Sequence, residues 1–157
     1  MRKVVAALAV VAIACGGGEQ AGQQEAPAVA PGGGAPAAQP AAGATGQVHT
    51  VDMELRDGMY VYTPATLTIK VGDTVRWVNA SGGPHNVAFY AAKIPAGAED
   101  VLNNVMPNKM SPLQGPLLIE EMAVYEVVFL GAPTGTYGYF CLPHEALGMK
   151  ATLTVEP

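Results

Sequence analysis

The segment Cys141-Leu142-Pro143-His144-Glu145-Ala146-Leu147-Gly148-Met149 sets a thiol, an imidazole and a thioether on one short stretch, and His85 upstream offers a second imidazole. Soft sulfur together with imidazole nitrogen suits copper in both of its common oxidation states. Two histidines, one cysteine and a long, weak axial methionine form the ligand signature of blue-copper electron transfer. A zinc site has no need of the methionine. Pro143 restricts the backbone between Cys141 and His144, and Gly148 allows the chain to double back so that Met149 approaches from an axial direction.

Such a loop needs rigid elements on both sides and a second loop to deliver His85. From residue 47 onward the sequence alternates with period two. Leu67, Ile69 and Val71 alternate with Thr68 and Lys70, and Val75 and Trp77 with Thr74 and Arg76. Tyr125, Val127 and Phe129 oppose Glu126 and Val128; Ala151, Leu153 and Val155 oppose Lys150, Thr152, Thr154 and Glu156. One buried and one wet face are expected. Turn signals at Asp57-Gly58, Val71-Gly72-Asp73, Ser81-Gly82-Gly83-Pro84 and Ala132-Pro133-Thr134-Gly135 separate the strands. Short strands at this spacing predict an all-β chain with a Greek-key β-sandwich, apart from a turn or two of helix over 97–105 and a loop over 106–116. The ends of two strands at one pole then bring His85 and Cys141 together.

These motifs, in this order, resemble the plastocyanin, pseudoazurin and halocyanin group of blue-copper proteins, the cupredoxins. The resemblance is carried by Lys70-Val71-Gly72-Asp73-Thr74-Val75-Arg76-Trp77-Val78-Asn79, Gly83-Pro84-His85-Asn86-Val87-Ala88-Phe89, and Gly135-Thr136-Tyr137-Gly138-Tyr139-Phe140-Cys141-Leu142-Pro143-His144. It covers residues 47–157. The resemblance implies a single type 1 copper held by His85, Cys141, His144 and Met149. It also implies that Asn86 steadies the Cys141 sulfur and pins the two ligand loops together. The edge of the His144 ring would serve as electron port through an apolar patch, for which Leu142, Pro143, Ala146 and Leu147, with Gly82, Gly83 and Pro84, are the candidates for partner docking. Two features depart from the pattern: the stretch 91–122 is longer than the usual connection, and Phe140 stands where plant plastocyanins carry tyrosine. Their acidic docking runs are not evident here.

Residues 1–14 carry Arg2 and Lys3 and then an uncharged apolar run to Ala14, followed by Cys15. This reads as an export signal, with Cys15 lipidated as the new N-terminus. An ordinary secretory peptide cut near the same place is the alternative, since Ala12 stands where lipoprotein signals usually have leucine. The run is shorter than the roughly 20 apolar residues that a spanning helix needs. Residues 15–46 are almost entirely Gly, Ala, Pro and Gln, with Glu19 and Glu25 the only charges, and predict a disordered tether to the 47–157 domain. Export places the protein in the periplasm or at the cell-envelope membrane surface. There Cys141 would be the only free thiol, and an unpaired thiol in an oxidising compartment calls for a role such as ligation.

Loss of 1–14 leaves six basic against thirteen acidic side chains. An acidic chain argues against nucleic acid and permits encounter with basic redox partners, such as a c-type cytochrome or a terminal reductase or oxidase. The chain has three histidines, His49, His85 and His144, too few for an enzymatic multicopper or nitrite-reducing centre. A dinuclear centre would need a second cysteine on the ligand loop. An electron carrier is therefore expected rather than an enzyme. A periplasmic copper chaperone or storage protein and a metal-free scaffold domain are the alternatives. His49 reads as a surface residue, and Met53, Met59, Met106, Met110 and Met122 as packing side chains.

Overall fold

The computed structural model describes residues 46–157; the expected leader, Cys15 and all of the linker except Gly46 lie outside them. The alternating segments become eight strands: β1 (Val48–Arg56), β2 (Met59–Thr63), β3 (Thr66–Lys70), β4 (Thr74–Asn79), β5 (Ala88–Phe89), β6 (Val124–Val128), β7 (Gly135–Phe140) and β8 (Lys150–Glu156). They form two four-stranded sheets ordered β2-β1-β4-β6 and β3-β8-β7-β5, with β1–β4 and β3–β8 parallel and the other pairs antiparallel. The chain repeatedly crosses from one sheet to the other, which gives the expected two-sheet, mostly-β sandwich. Asp57 and Gly58 both have positive φ (51° and 78°), and Arg56 pairs with Met59 across them. This is the primed two-residue turn whose twist suits a hairpin.

The inward residues of both sheets meet in one core, with Trp77 fully buried among the rings of Phe89, Tyr125 and Tyr139. Along β8 the pattern is as expected, with Ala151, Leu153 and Val155 buried. The outer face of β4 and β6 is not wet. Arg76 and Glu126 sit directly opposite each other, with Nε 2.6 Å from Oε1, and Thr74, Val78 and Val128 beside them are buried as well. Long side chains tied in a cross-strand pair lay their stems over their neighbours, so a face of mixed character becomes covered. Val71 lies beyond β3 and is exposed.

The connection over 91–122 holds α1 (Ala98–Val105), close to the expected 97–105, and it buries Ala98 and Leu102 in the core. Glu99 and Asp100 lie in its first turn, where negative charge suits the helix dipole. Met53 and Met106 are core residues, but Met59, Met110 and Met122 are exposed and do not pack as expected.

His49 is no free surface residue either. Its Nε2 lies 2.8 Å from Asp73 Oδ2, and Asp73 also accepts the N–H groups of Gln47 and Lys70. Burial pushes the Asp73 carboxyl up, but the hydrogen bonds from Lys70, His49 and Gln47 outweigh it and hold the pKa below its ordinary value. A depressed carboxylate stabilises the fold above its unfolded pKa of about 4, and that contribution fades as pH falls through the lower native value. Asp73→Asn is expected to cost about 1–3 kcal/mol at neutral pH, because an amide cannot accept all three donors. In urea titrations the gap to the parent should narrow below about pH 4; a gap independent of pH would contradict this account.

Candidate metal centre

β7 ends at Phe140 and hands the chain directly to Cys141, so pairing with β5 on one side and β8 on the other fixes where the sulfur starts. A 3₁₀ turn, Leu142–Leu147, follows. Gly148 then adopts φ 91°, and no atom lies within 4 Å of where a Cβ would sit, so the glycine is needed for its backbone angle rather than for space. The reversal closes the loop on itself: Met149 N–H donates to His144 O (3.1 Å), and Cys141 N–H donates to Met149 O (3.1 Å).

His85 arrives differently from the expectation that it ends a strand. It lies in the 80–87 connection between β4 and β5, locked by reciprocal backbone hydrogen bonds with Leu118 (3.1 and 2.7 Å). Asn79 steadies the partner stretch, its Nδ2 donating to Leu118 O and Glu120 O. A Cβ at Gly83 would come within 2.6 Å of that amide, so a side chain there would displace it.

The structure brings three of the expected donors together. Cys141 Sγ lies 3.6 Å from His85 Nδ1 and 3.4 Å from His144 Nδ1, and the two Nδ1 atoms are 3.2 Å apart. The point equidistant from all three is about 2.0 Å from each, close to the roughly 2.0–2.3 Å bonds that a metal makes to imidazole nitrogen and thiolate sulfur. His85 and Cys141 are fully buried, and His144 is 8 % exposed. Met149 is buried in the same core cluster at the end of the loop. Donor types, spacing and burial all fit a copper ion.

Hydrogen bonding and burial set how the three donors present themselves. His85 Nε2 lies 2.9 Å from Ser81 O, which can only accept, so Nε2 carries the hydrogen and Nδ1 presents its lone pair. Burial lowers the His85 pKa, against the Ser81 hydrogen bond, and burial with the nearby His85 ring lowers that of His144. Burial also raises the Cys141 thiol, partly offset by the N–H groups of Asn86 and His144. Burial thus favours the neutral imidazoles that a metal needs, whereas the Cys141 proton would have to leave for the thiolate to bind one.

Asn86 bridges the two loops. Its Oδ1 accepts Leu142 N–H (2.8 Å) and its Nδ2 donates to Gly115 O (3.4 Å). Two further contacts were not anticipated from the sequence. The Tyr60 ring lies flat on His144, 3.7 Å between centroids and 6° from parallel, so one face of the imidazole is covered. Tyr90 donates from its hydroxyl to Glu145 Oε1 (2.7 Å) and stacks on Phe140. Neither tyrosine has a sequence signal, because both contacts join segments far apart in the chain. Around the loop, Leu142, Pro143, Ala146 and Leu147 are exposed, as are Gly82, Gly83 and Pro84.

A family model described as copper binding proteins, plastocyanin/azurin family, matches residues 49–156. Plastocyanin of Scenedesmus fuscus is 40 % identical over 114 residues, covering 68 % of this chain and 98 % of that protein. Plastocyanin of Nostoc punctiforme is 34 % identical over 113 residues, covering 72 % and 77 %. Among solved structures, oxidised plastocyanin from Dryopteris crassirhizoma aligns with a TM-score of 0.53 and 27 % identity over 69 % of this chain and all of that one. With a buried cysteine–histidine triad set on a two-sheet sandwich, these relationships establish that the chain belongs to the plastocyanin/azurin family of copper binding proteins, as a plastocyanin-like electron carrier and not an enzyme.

Proposed function

We propose that this protein is an exported, membrane-tethered type 1 copper carrier in which His85, Cys141, His144 and Met149 would hold the metal. The observation that carries this reading is the sulfur–nitrogen–nitrogen triangle, with edges of 3.2 to 3.6 Å, buried under one pole of the sandwich. Copper supplies a one-electron Cu(I)/Cu(II) couple when bound. The protein's part is to keep the donors still and dry. Strands β5, β7 and β8 fix Cys141, the Leu118 pairing and the Ser81 carbonyl fix His85, and Tyr60 braces His144. Side chains held in this way need little rearrangement between oxidation states.

The exposed apolar side chains beside the His144 edge, Leu142, Pro143, Ala146 and Leu147, form the docking face. Weak, rapid association through a small apolar patch suits a carrier that must release each partner. Those partners are redox proteins of the c-type cytochrome or terminal reductase and oxidase class, met in the periplasm or at the cell-envelope membrane. In this reading lipidated Cys15 and the Gly/Ala/Pro-rich segment 15–46 tether the 47–157 domain there.

Stopped-flow oxidation of a reduced c-type cytochrome by the copper-loaded chain tests the carrier reading; rapid second-order transfer supports it. Surrender of copper to an acceptor protein without electron transfer would favour the chaperone alternative, which the deep burial of the donors disfavours. Leu147→Glu is expected to slow transfer to the cytochrome roughly tenfold, because a charge must then be desolvated in the contact, while the visible spectrum stays unchanged. Equal rates for this variant and the parent across several cytochromes would rule out the face.

A further inference from the structure

The stretch that leads away from β5 reaches back to the loop Leu142–Leu147. Tyr90 follows β5 directly, and its N–H donates to Gly138 O (3.0 Å), so its backbone is anchored on β7. Its ring stacks on Phe140, 4.3 Å between centroids and 27° from parallel, one residue before Cys141. Gly138 makes room for this arrangement: a Cβ there would come within 3.0 Å of Lys93 Cβ and 3.6 Å of the Tyr90 ring. Lys93 Nζ stands 4.6 Å from the Tyr90 ring centroid, within cation–π range. The hydroxyl then points to the residue after His144, Glu145, with a 2.7 Å O–H···O contact.

We infer that Tyr90 and Glu145 form a clasp that holds the ligand loop against the edge of the β5–β7 sheet, making Tyr90 a positioning residue for His144. The inference rests on the reading of 141–149 as the ligand loop. An O–H donor to a carboxylate is among the stronger hydrogen bonds available to a half-buried pair. The Tyr90 hydroxyl is raised to about 12 by burial and by Glu145, so the donor keeps its proton at neutral pH. The site has a second support on this side, Asn86 Oδ1 to Leu142 N–H, at the start of the turn. Tyr90 acts at its far end, where Glu145 O and His144 O both receive the Gly148 N–H that closes the loop. With both ends held, the turn cannot swing outward without breaking one of the two contacts.

Hydrogen exchange of backbone amides in the full metal-free chain, followed by NMR, tests this without recourse to copper. Tyr90→Phe keeps the ring stack and removes the donor; Glu145→Ala removes the acceptor and leaves the stack. In both, the Gly148 and Met149 amides should exchange roughly tenfold faster while amides of β7 and β8 keep their protection, and Glu145→Gln, which still offers an accepting oxygen, should restore most of it. In the copper-loaded chain the same two variants should lose metal to a chelator roughly tenfold faster. Loop exchange within twofold of the parent in Glu145→Ala overturns the clasp. That variant decides the matter even if Tyr90→Phe loosens the whole sheet. Loss of the visible copper band in the unsubstituted chain would instead count against the ligand assignment, whatever the exchange data show.

Discussion

Cys141→Ser should leave the fold intact and eliminate the intense visible absorption of the copper-loaded protein. Thiolate-to-metal charge transfer requires sulfur that is ionised and bonded, and a serine hydroxyl at the same place stays protonated. The remaining pair, His85 Nδ1 and His144 Nδ1 at 3.2 Å, is an incomplete plane. Copper affinity should drop by more than the roughly 10–100-fold that follows loss of an outer hydrogen bond. The substitution is close to isosteric, and the hydroxyl can inherit the N–H groups of Asn86 and His144 that face the sulfur. Far-UV circular dichroism and the thermal midpoint of the metal-free protein should therefore change little. The check is the visible and EPR spectra of parent and variant after equal Cu(II) addition. Persistence of an intense band in the serine variant would exclude Cys141 as a ligand.

Asn86→Ala is expected to have the next largest effect, and it should act on both stability and metal binding. The side chain connects the His85 loop to the Cys141 loop through Leu142 N–H and reaches Gly115 O through its amide. Truncation leaves the part-buried Leu142 donor without its acceptor. The expected cost is about 1–3 kcal/mol, read as a lower urea midpoint in the metal-free protein. Copper binding should weaken by about 10–100-fold, because the two ligand loops lose their cross-link. Asn86→Asp keeps an accepting oxygen for Leu142 N–H and should recover part of the affinity. A metal affinity in Asn86→Ala equal to that of the parent would show that the sheets alone hold the loops in place.

Much of this architecture is legible in the residues themselves. The alternation of Ala151, Leu153 and Val155, the Asp57-Gly58 hairpin and the Gly97 start of α1 are local signals, and each marks an element that forms. The grouping of Cys141 and His144 is legible too, since they lie three apart on one turn. What the sequence hides depends on contacts between distant segments. His49 looks like a lone polar residue until β1 is laid beside β4, which brings the β3–β4 turn and Asp73 to it. Tyr60 belongs to β2, and only the closure of the sandwich puts its ring on His144. The dry outer face of β4 and β6 escapes a period-two reading because that reading assigns Arg76 and Glu126 to water one at a time. Their register makes them a pair.

The strand order also bears on when the chain can hold a metal. β8, the last strand, sits between β3 and β7, so the second sheet stays in two pieces until the final residues 150–156 are in place. The β7–β8 pairing is local, but β3 and β8 lie far apart in sequence, and non-local pairings of that kind slow folding. Cys141 N–H also needs Met149 O, immediately before β8, to close the loop. The ligand triangle therefore depends on residues 149–156 as well as on its own loop, and removing that segment is expected to leave the Cys141 thiol unassembled.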